Sequence, residues 1–405
     1  MRDKWKSINL VKIADIKRGL PSQDLNYVEN TNEGIRLIRI NDFKSDSPKY
    51  IIETEKTQKL TIKKGDILIA GTGATAGISF LVNDLWDGLP FSYNAPRIRV
   101  KKGNDKNYVY YILNSSKIKQ QQNRLFTGNA QPFLDTRAIG SFKIPLPPLP
   151  EQQKIAEILS TVDAKIEIID QQIAETQEFK KGLMQQLLTK GIGHTEFKDS
   201  VLGKIPKSWE VMELDEISST TRLAGYEYSE YWQEAENGEI TALRGYNIGK
   251  NKLKLHDVIK ISEELSQKLI RSRLFKGNVV FPCVGTIGNA IVIEDDDKYH
   301  INQNIAKITP NKDLDSYFLM QYLLSSMCRK EIKRFNATTS QPNVLVGSLR
   351  KFRIPFPNNL SEQIQISEIL GIVDQKLEVL SEKKITYQEM KQGLMQQLLT
   401  GKVRV

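Results

Sequence analysis

Gly182-Leu183-Met184-Gln185-Gln186-Leu187-Leu188-Thr189 returns letter for letter as Gly393-Leu394-Met395-Gln396-Gln397-Leu398-Leu399-Thr400, 211 positions further along the chain. The same offset carries Glu151-Gln152 onto Glu362-Gln363, Glu157-Ile158-Leu159 onto Glu368-Ile369-Leu370, and Val162-Asp163 onto Val373-Asp374. Upstream the echo thins but keeps landmarks: Trp5, Leu10 and Ile13 recur as Trp209, Leu214 and Ile217, and Ile144-Pro145 as Ile354-Pro355. A unit this long is too large for a solenoid repeat and reads as duplicated domains. Each copy is a long divergent segment followed by a near-constant one.

The near-constant segments read as helices. After Ile144-Pro145-Leu146-Pro147-Pro148-Leu149-Pro150, whose prolines force extended backbone, Glu151 opens a stretch without Gly or Pro until Gly182. An acidic residue suits the positive end of a helix dipole. Ile155, Leu159, Val162, Ile166, Ile169, Ile173, Thr176, Lys180, Leu183 and Leu187 alternate steps of four and three, which is a heptad seam. Its equivalents are Ile366, Leu370, Val373, Leu377, Leu380, Lys384, Tyr387, Lys391, Leu394 and Leu398. Two helices with one apolar stripe each are most simply each other's partner, giving an intramolecular antiparallel coiled coil; separate packing on each helix's own domain is the alternative. Antiparallel pairing is expected to set the globular units at opposite ends, related by a pseudo-two-fold axis. Because Lys384 stands where the first copy has Ile173, a self-pair of the first helix is expected to bury more apolar surface there and to lose no registered partner.

The divergent segments mix short apolar runs with turn residues, an α+β pattern. Residues 35–40 and 66–70 read as strands, 107–122 as one helix, and 240–244 and 278–281 as the matching strands of the second copy. Gly191-Ile192-Gly193-His194-Thr195 reads as a flexible connector. The expected division is a first domain over 1–150, its helix over 151–190, a connector over 191–208, a second domain over 209–357 and its helix over 358–405.

Composition narrows the chemistry. Lys plus Arg number 58 against 48 Asp plus Glu, a net charge of +10, which favours a polyanionic partner; a merely basic soluble protein is the alternative that charge alone leaves open. The two cysteines, Cys283 and Cys328, offer no disulfide framework and suit a reducing cytoplasm. The start Met1-Arg2-Asp3-Lys4-Trp5-Lys6 lacks the apolar core of a signal peptide, and no apolar run nears the ~18 residues of a membrane span, so a soluble intracellular protein is expected. Gly71-Thr72-Gly73-Ala74-Thr75-Ala76 nominally fits a phosphate-cradling pattern, but residues 77–82 have strand character, so no helix N-terminus follows and a tight turn is expected. There is no Walker A lysine and no paired-cysteine metal spacing. His194, His256 and His300 are scattered, and Leu146-Pro147-Pro148-Leu149 is not the Asn/Asp-Pro-Pro-aromatic motif of amino-group DNA methyltransferases. Neither catalytic chemistry nor a metal is expected on this chain.

Two variable domains, each closed by Ile-Pro-x-Pro, a Glu-Gln and a long helix ending in Gly-Leu-Met-Gln-Gln-Leu-Leu-Thr, resemble the DNA-specificity subunit of type I restriction-modification systems. Leu202-Gly203-Lys204-Ile205-Pro206-Lys207-Ser208-Trp209 is similar to another phrase of that family, and the resemblance covers essentially the whole chain. It implies a non-catalytic subunit whose two target-recognition domains each read half of a split double-stranded DNA site. It also implies that the long helices bind methyltransferase subunits. Those partners, with restriction subunits, would carry S-adenosylmethionine, ATP and Mg and perform methylation, translocation and cleavage. Readings from other classes are the specificity subunit of a related type II bipartite-site system, a coiled-coil scaffold without nucleic acid, and a fused restriction enzyme, for which motifs are lacking. About 39 helical residues span roughly 58 Å, more than the ~34 Å between half-sites one duplex turn apart, so the helices are expected to act as a ruler.

Candidate DNA contacts follow from residue type. Arg39 and Arg244 occupy matching places before the polar stretches that contain Lys44 and, in the second copy, Asn247 and Lys250. Arginine grips guanine bidentately and Arg or Lys holds phosphate; a structural ion pair is the alternative. The loops with Thr127, Asn129 and Gln131, and with Thr339 and Gln341, carry short polar side chains suited to base edges or phosphates, as do Thr75, Asn94, Thr286, Gln303 and Asn304. Such residues also mark plain turns.

Overall fold

The computed structural model describes residues 5–29, 31–43, 47–126, 132–335 and 343–405. The chain forms two compact units, Met1–Asp170 with Glu382–Val405, and Gln171–Ser381. Their borders cross the sequence repeat, because each unit takes one divergent domain and half of each long helix.

In the first unit a four-stranded antiparallel sheet runs in the order Ala14–Lys17, Arg97–Val100, Ile67–Ile69, Ser79–Leu81. The second unit repeats that order with Ser218–Thr221, Ile305–Pro310, Val279–Pro282 and Ile291–Val292. A three-stranded sheet accompanies each: Tyr27–Val28, Lys49–Ile51 and Ile35–Leu37 in the first, Ile259–Ile261, Ile240–Leu243 and Tyr299–Ile301 in the second. The Ile-Pro-x-Pro segments lie in two-stranded pairings, Lys6–Asn9 with Lys143–Leu146 and Trp209–Glu213 with Arg353–Pro357. Proline is tolerated at such edges because no neighbour needs its missing N–H.

Two expectations are corrected. The strand expected over 35–40 ends at Leu37, and Ile40–Phe43 is a 3₁₀ turn held by the Asp42 carboxylate, which accepts the Arg39 N–H at 2.8 Å. The single helix expected over 107–122 is two, Lys106–Leu113 and Ser116–Phe126. Between them the Ser115 hydroxyl donates to the Ile112 carbonyl at 2.6 Å, the local competition by which short polar side chains interrupt helices. Ser325 marks the same break between Ser316–Leu324 and Ser326–Phe335.

The long helices run over Leu149–Lys190 and Leu360–Leu398. Every seam position named above is buried or half-buried. In the first unit Ile155 and Leu159 share a core with Leu394, Leu398 and Leu399; in the second, Leu183, Leu187 and Leu188 share one with Ile366 and Leu370. The octapeptide that ends one helix therefore plugs the domain that adjoins the start of the other. Ion pairs set the register: Asp163–Lys391 and Asp170–Lys384 in the first unit, Lys180–Asp374 in the second, each at 2.5 Å. As numbers rise on one helix they fall on the other, so the pairing is antiparallel. Lys384 thus has a registered partner, contrary to the sequence reading.

The connector is likewise less free than its glycines suggest. The Glu362 carboxylate accepts the Ile192 N–H at 3.0 Å, the Trp209 indole N–H at 3.1 Å, and lies 2.8 Å from His194 Nε2. Gly191 and Gly193 take positive φ to make this return. In the first unit Glu151 plays the same part, bonded by Trp5 at 3.1 Å and by the Arg404 guanidinium. Among the described residues no helix is long and apolar enough to cross a membrane.

Candidate nucleic-acid interface

In each unit, the loops that leave one end of the four-stranded sheet converge. In the first, the Gly71 N–H donates to the Asn94 carbonyl at 2.8 Å, and the Gly71 carbonyl accepts the Leu134 N–H at 2.7 Å. Thr72 bridges Phe133, and the Arg18 guanidinium lies 4.1 Å over the Tyr93 ring and 4.9 Å over that of Phe133. Thr75 closes the 3₁₀ turn Gly73–Thr75 between two strands, so the glycine motif is the tight turn the sequence suggests. Ser92 donates its N–H to the Ile38 carbonyl, which brings Arg39 beside these loops.

The second unit builds the same skeleton. Cys283 donates its N–H to the Asn304 carbonyl at 2.8 Å, Val344 donates to Cys283, and Val284 bridges Asn343. The Thr286 hydroxyl donates to the Gly245 carbonyl at 2.7 Å, which sets Arg244 beside this loop. The backbone segments that carry Arg39, Thr75 and Asn94 therefore adjoin one another, as do those that carry Arg244, Thr286, Gln303 and Asn304. Lys250 is exposed and bridges Ala290, next to the same turn. Lys44, Thr127, Asn129, Gln131, Thr339 and Gln341 lie outside the described residues.

Both arginines expected to grip DNA already have protein partners. Arg39 donates from Nη2 to the Ser47 carbonyl at 2.7 Å, with Nε 3.6 Å from Asp42. Arg244 donates to Glu234 at 2.8 Å. One expected contact is corrected outright: Asn247 is 0% exposed. Its Oδ1 accepts the Arg244 N–H at 2.9 Å and its Nδ2 donates to the Lys254 carbonyl at 2.8 Å, so it shapes the turn and presents nothing to a ligand.

The structure adds candidates that sequence reasoning did not name: Arg18, Arg222, Tyr93 and Phe133, and two basic helices that lead toward the loops. Ser116–Phe126 exposes Lys117, Lys119 and Arg124 and has no acidic residue; Ser326–Phe335 exposes Arg329, Lys330, Lys333 and Arg334. The runs of basic residues were a usable signal. Gln122 fastens the first helix to the glycine turn by donating to the Gly77 carbonyl at 3.2 Å. In the second, burial would raise the Glu331 carboxyl, but hydrogen bonds from Arg353 and the charges of Arg353 and Arg334 hold it below the usual carboxylate range.

Two buried titratable groups are held by the fold itself. Burial pushes the Cys283 thiol up to about 12, against the opposing charge of Arg222, and burial depresses His300, which sits between the Ile301 and Leu269 carbonyls. Among the described residues no cluster of His, Cys, Asp and Glu could hold a metal. What the surface offers is guanidinium and ammonium charge, amides and two exposed aromatic rings, the groups that hold phosphates and read or stack bases.

Known proteins share this arrangement. A family model described as the type I restriction modification DNA specificity domain matches residues 2–178 and again 206–387. The type I restriction enzyme MjaVIII specificity subunit of Methanocaldococcus jannaschii is 31% identical over 365 residues, which span 88% of this chain and 83% of that one. The crystal structure of the type I restriction-modification system S subunit from M. genitalium superposes with a TM-score of 0.60 at 15% identity, over 98% of this chain and 97% of that one. A chain from a structural study of complex assembly and conformational transition in the type I R-M system superposes at 0.59 with 18% identity, over 100% and 99%. The two superpositions speak for the fold; the doubled family match and the curated relative go further, and by them this chain belongs to the family of type I restriction-modification DNA specificity subunits.

Proposed function

We propose that each target-recognition domain reads one half of a split double-stranded DNA site, and that the paired helices carry the chain into an assembly with two methyltransferase subunits and restriction subunits. S-adenosylmethionine, ATP and Mg belong to those partners, and the place of work is the cytoplasm. The observation that carries this reading is the pair of loop clusters: one backbone skeleton, built twice, with different side chains on it. A scaffold without nucleic acid has no use for two such surfaces flanked by basic helices. The deciding measurement is methylation mapping with the partner subunits present. Two fixed blocks separated by an unspecified spacer are expected, and exchanging residues 1–150 for a relative's domain should change one block only. A contiguous site, or both blocks altered by that exchange, overturns the reading.

A further inference from the structure

The duplicated skeleton permits a residue-by-residue comparison of the two surfaces. Gly71 and Cys283 make the same pair of main-chain bonds, to Asn94 and Leu134 in the first unit and to Asn304 and Val344 in the second. Thr72 bridges Phe133 as Val284 bridges Asn343. Lys17 pairs with Arg97 as Thr221 pairs with Lys307. Arg18 therefore corresponds to Arg222, Asn94 to Asn304, Tyr93 to Gln303 and Phe133 to Asn343. Arginine and asparagine are kept, whereas two exposed rings, 41% and 46% accessible, are replaced by two amides. One of these is unsatisfied within the protein: Gln303 Oε1 is buried without a hydrogen-bond partner, a cost that turning the half-buried amide outward onto a ligand donor would remove.

We propose that Tyr93 with Phe133 and Gln303 with Asn343 are the residues that make the two half-sites differ, while Arg18 and Arg222 each hold the DNA backbone. The inference rests on the DNA-reading function above. The chemistry assigns a base class to each pair. Rings favour apolar contact with the thymine methyl, whereas amides favour the paired donor and acceptor of adenine. The common arginines grip the backbone, and in the first unit the rings orient the guanidinium by cation–π contact.

The test uses the full chain with its methyltransferase partner and a DNA library randomised over both half-sites. Wild type should select a split site. The double variant Tyr93→Gln with Phe133→Asn should lose about tenfold or more discrimination at one or two positions of the first half-site and keep the second intact. Gln303→Tyr should do the converse. Arg18→Ala should weaken all sequences alike and lower the salt slope by about one. Selection of the unchanged first half-site by the double variant, or of the unchanged second by Gln303→Tyr, overturns the inference while leaving the DNA-reading function standing. A wild-type assembly that selects no split site overturns both. Circular dichroism melting separates misfolding from lost reading, and if the double variant melts early, Gln303→Tyr decides alone.

Discussion

Asn247 and Asp42 do one job with two chemistries: each side-chain oxygen accepts the N–H of an arginine three residues earlier and so closes a 3₁₀ turn. The sequence makes the stretch legible as polar, but it does not tell which polar group is consumed by its own turn, because that depends on burial. Asn247→Ala should strip the Arg244 N–H and the Lys254 carbonyl of their side-chain partner and destabilise the second unit by about 1–2 kcal/mol, read as an earlier denaturant transition; an unchanged transition would return Asn247 to the surface. Glu151 offers a pH-dependent counterpart. Hydrogen bonding from Arg404, opposed by burial and reinforced by Trp5, holds its carboxyl below the ordinary range. A depressed carboxyl stabilises the fold above its unfolded-state value, and that contribution disappears as pH falls through the lower folded-state value. The stability difference between wild type and Arg404→Met should therefore be full at neutral pH and close in acid. A difference independent of pH would mean that Arg404 acts only through its stacking on Trp5.

At the scale of the element, the heptad stripe alone located both long helices and their seam, since apolar spacing is a local property. It did not reveal why three lysines occupy seam positions. Their partners, Asp163, Asp170 and Asp374, sit beside the stripe of the opposite helix and become neighbours only once the antiparallel register is fixed. The pairs differ in weight. Asp374 and Lys180 are 19% and 14% exposed, and Asp374 also accepts the Gln321 amide at 2.9 Å. Asp170 and Lys384 are 46% and 33% exposed. Breaking a shielded pair strands a charge at a cost of about 2–3 kcal/mol, whereas a surface pair contributes about 0–1. Asp374→Ala should thus lower the melting temperature well beyond Asp170→Ala, by scanning calorimetry, and equal effects would show that the helices do not shield this layer.

For the whole molecule the duplication was plain in the letters, but the way it is used was not: each compact unit borrows the end of the other repeat's helix. Since Gly182–Thr189 and Gly393–Thr400 are identical, a fragment of residues 1–195 lacks its own plug for the first core but carries a copy of it. Two such fragments can exchange plugs, giving a two-fold symmetric homodimer in which Lys180 of each replaces Lys391 opposite Asp163 of the other. The sequence reading held that this costs no registered contact, and the Asp170–Lys384 pair corrects it. In the homodimer each Asp170 faces Ile173, a charge against an apolar layer. Asp170→Leu should therefore tighten the fragment dimer by about threefold or more, a gain from the removed mismatch and added apolar burial, while in the full chain it removes a pair. Sedimentation equilibrium up to tens of micromolar measures both fragments. A fragment that stays monomeric with either residue at 170 would mean that the helices need their covalent link or the partner subunits to pair, and the exchange of plugs would have to be abandoned.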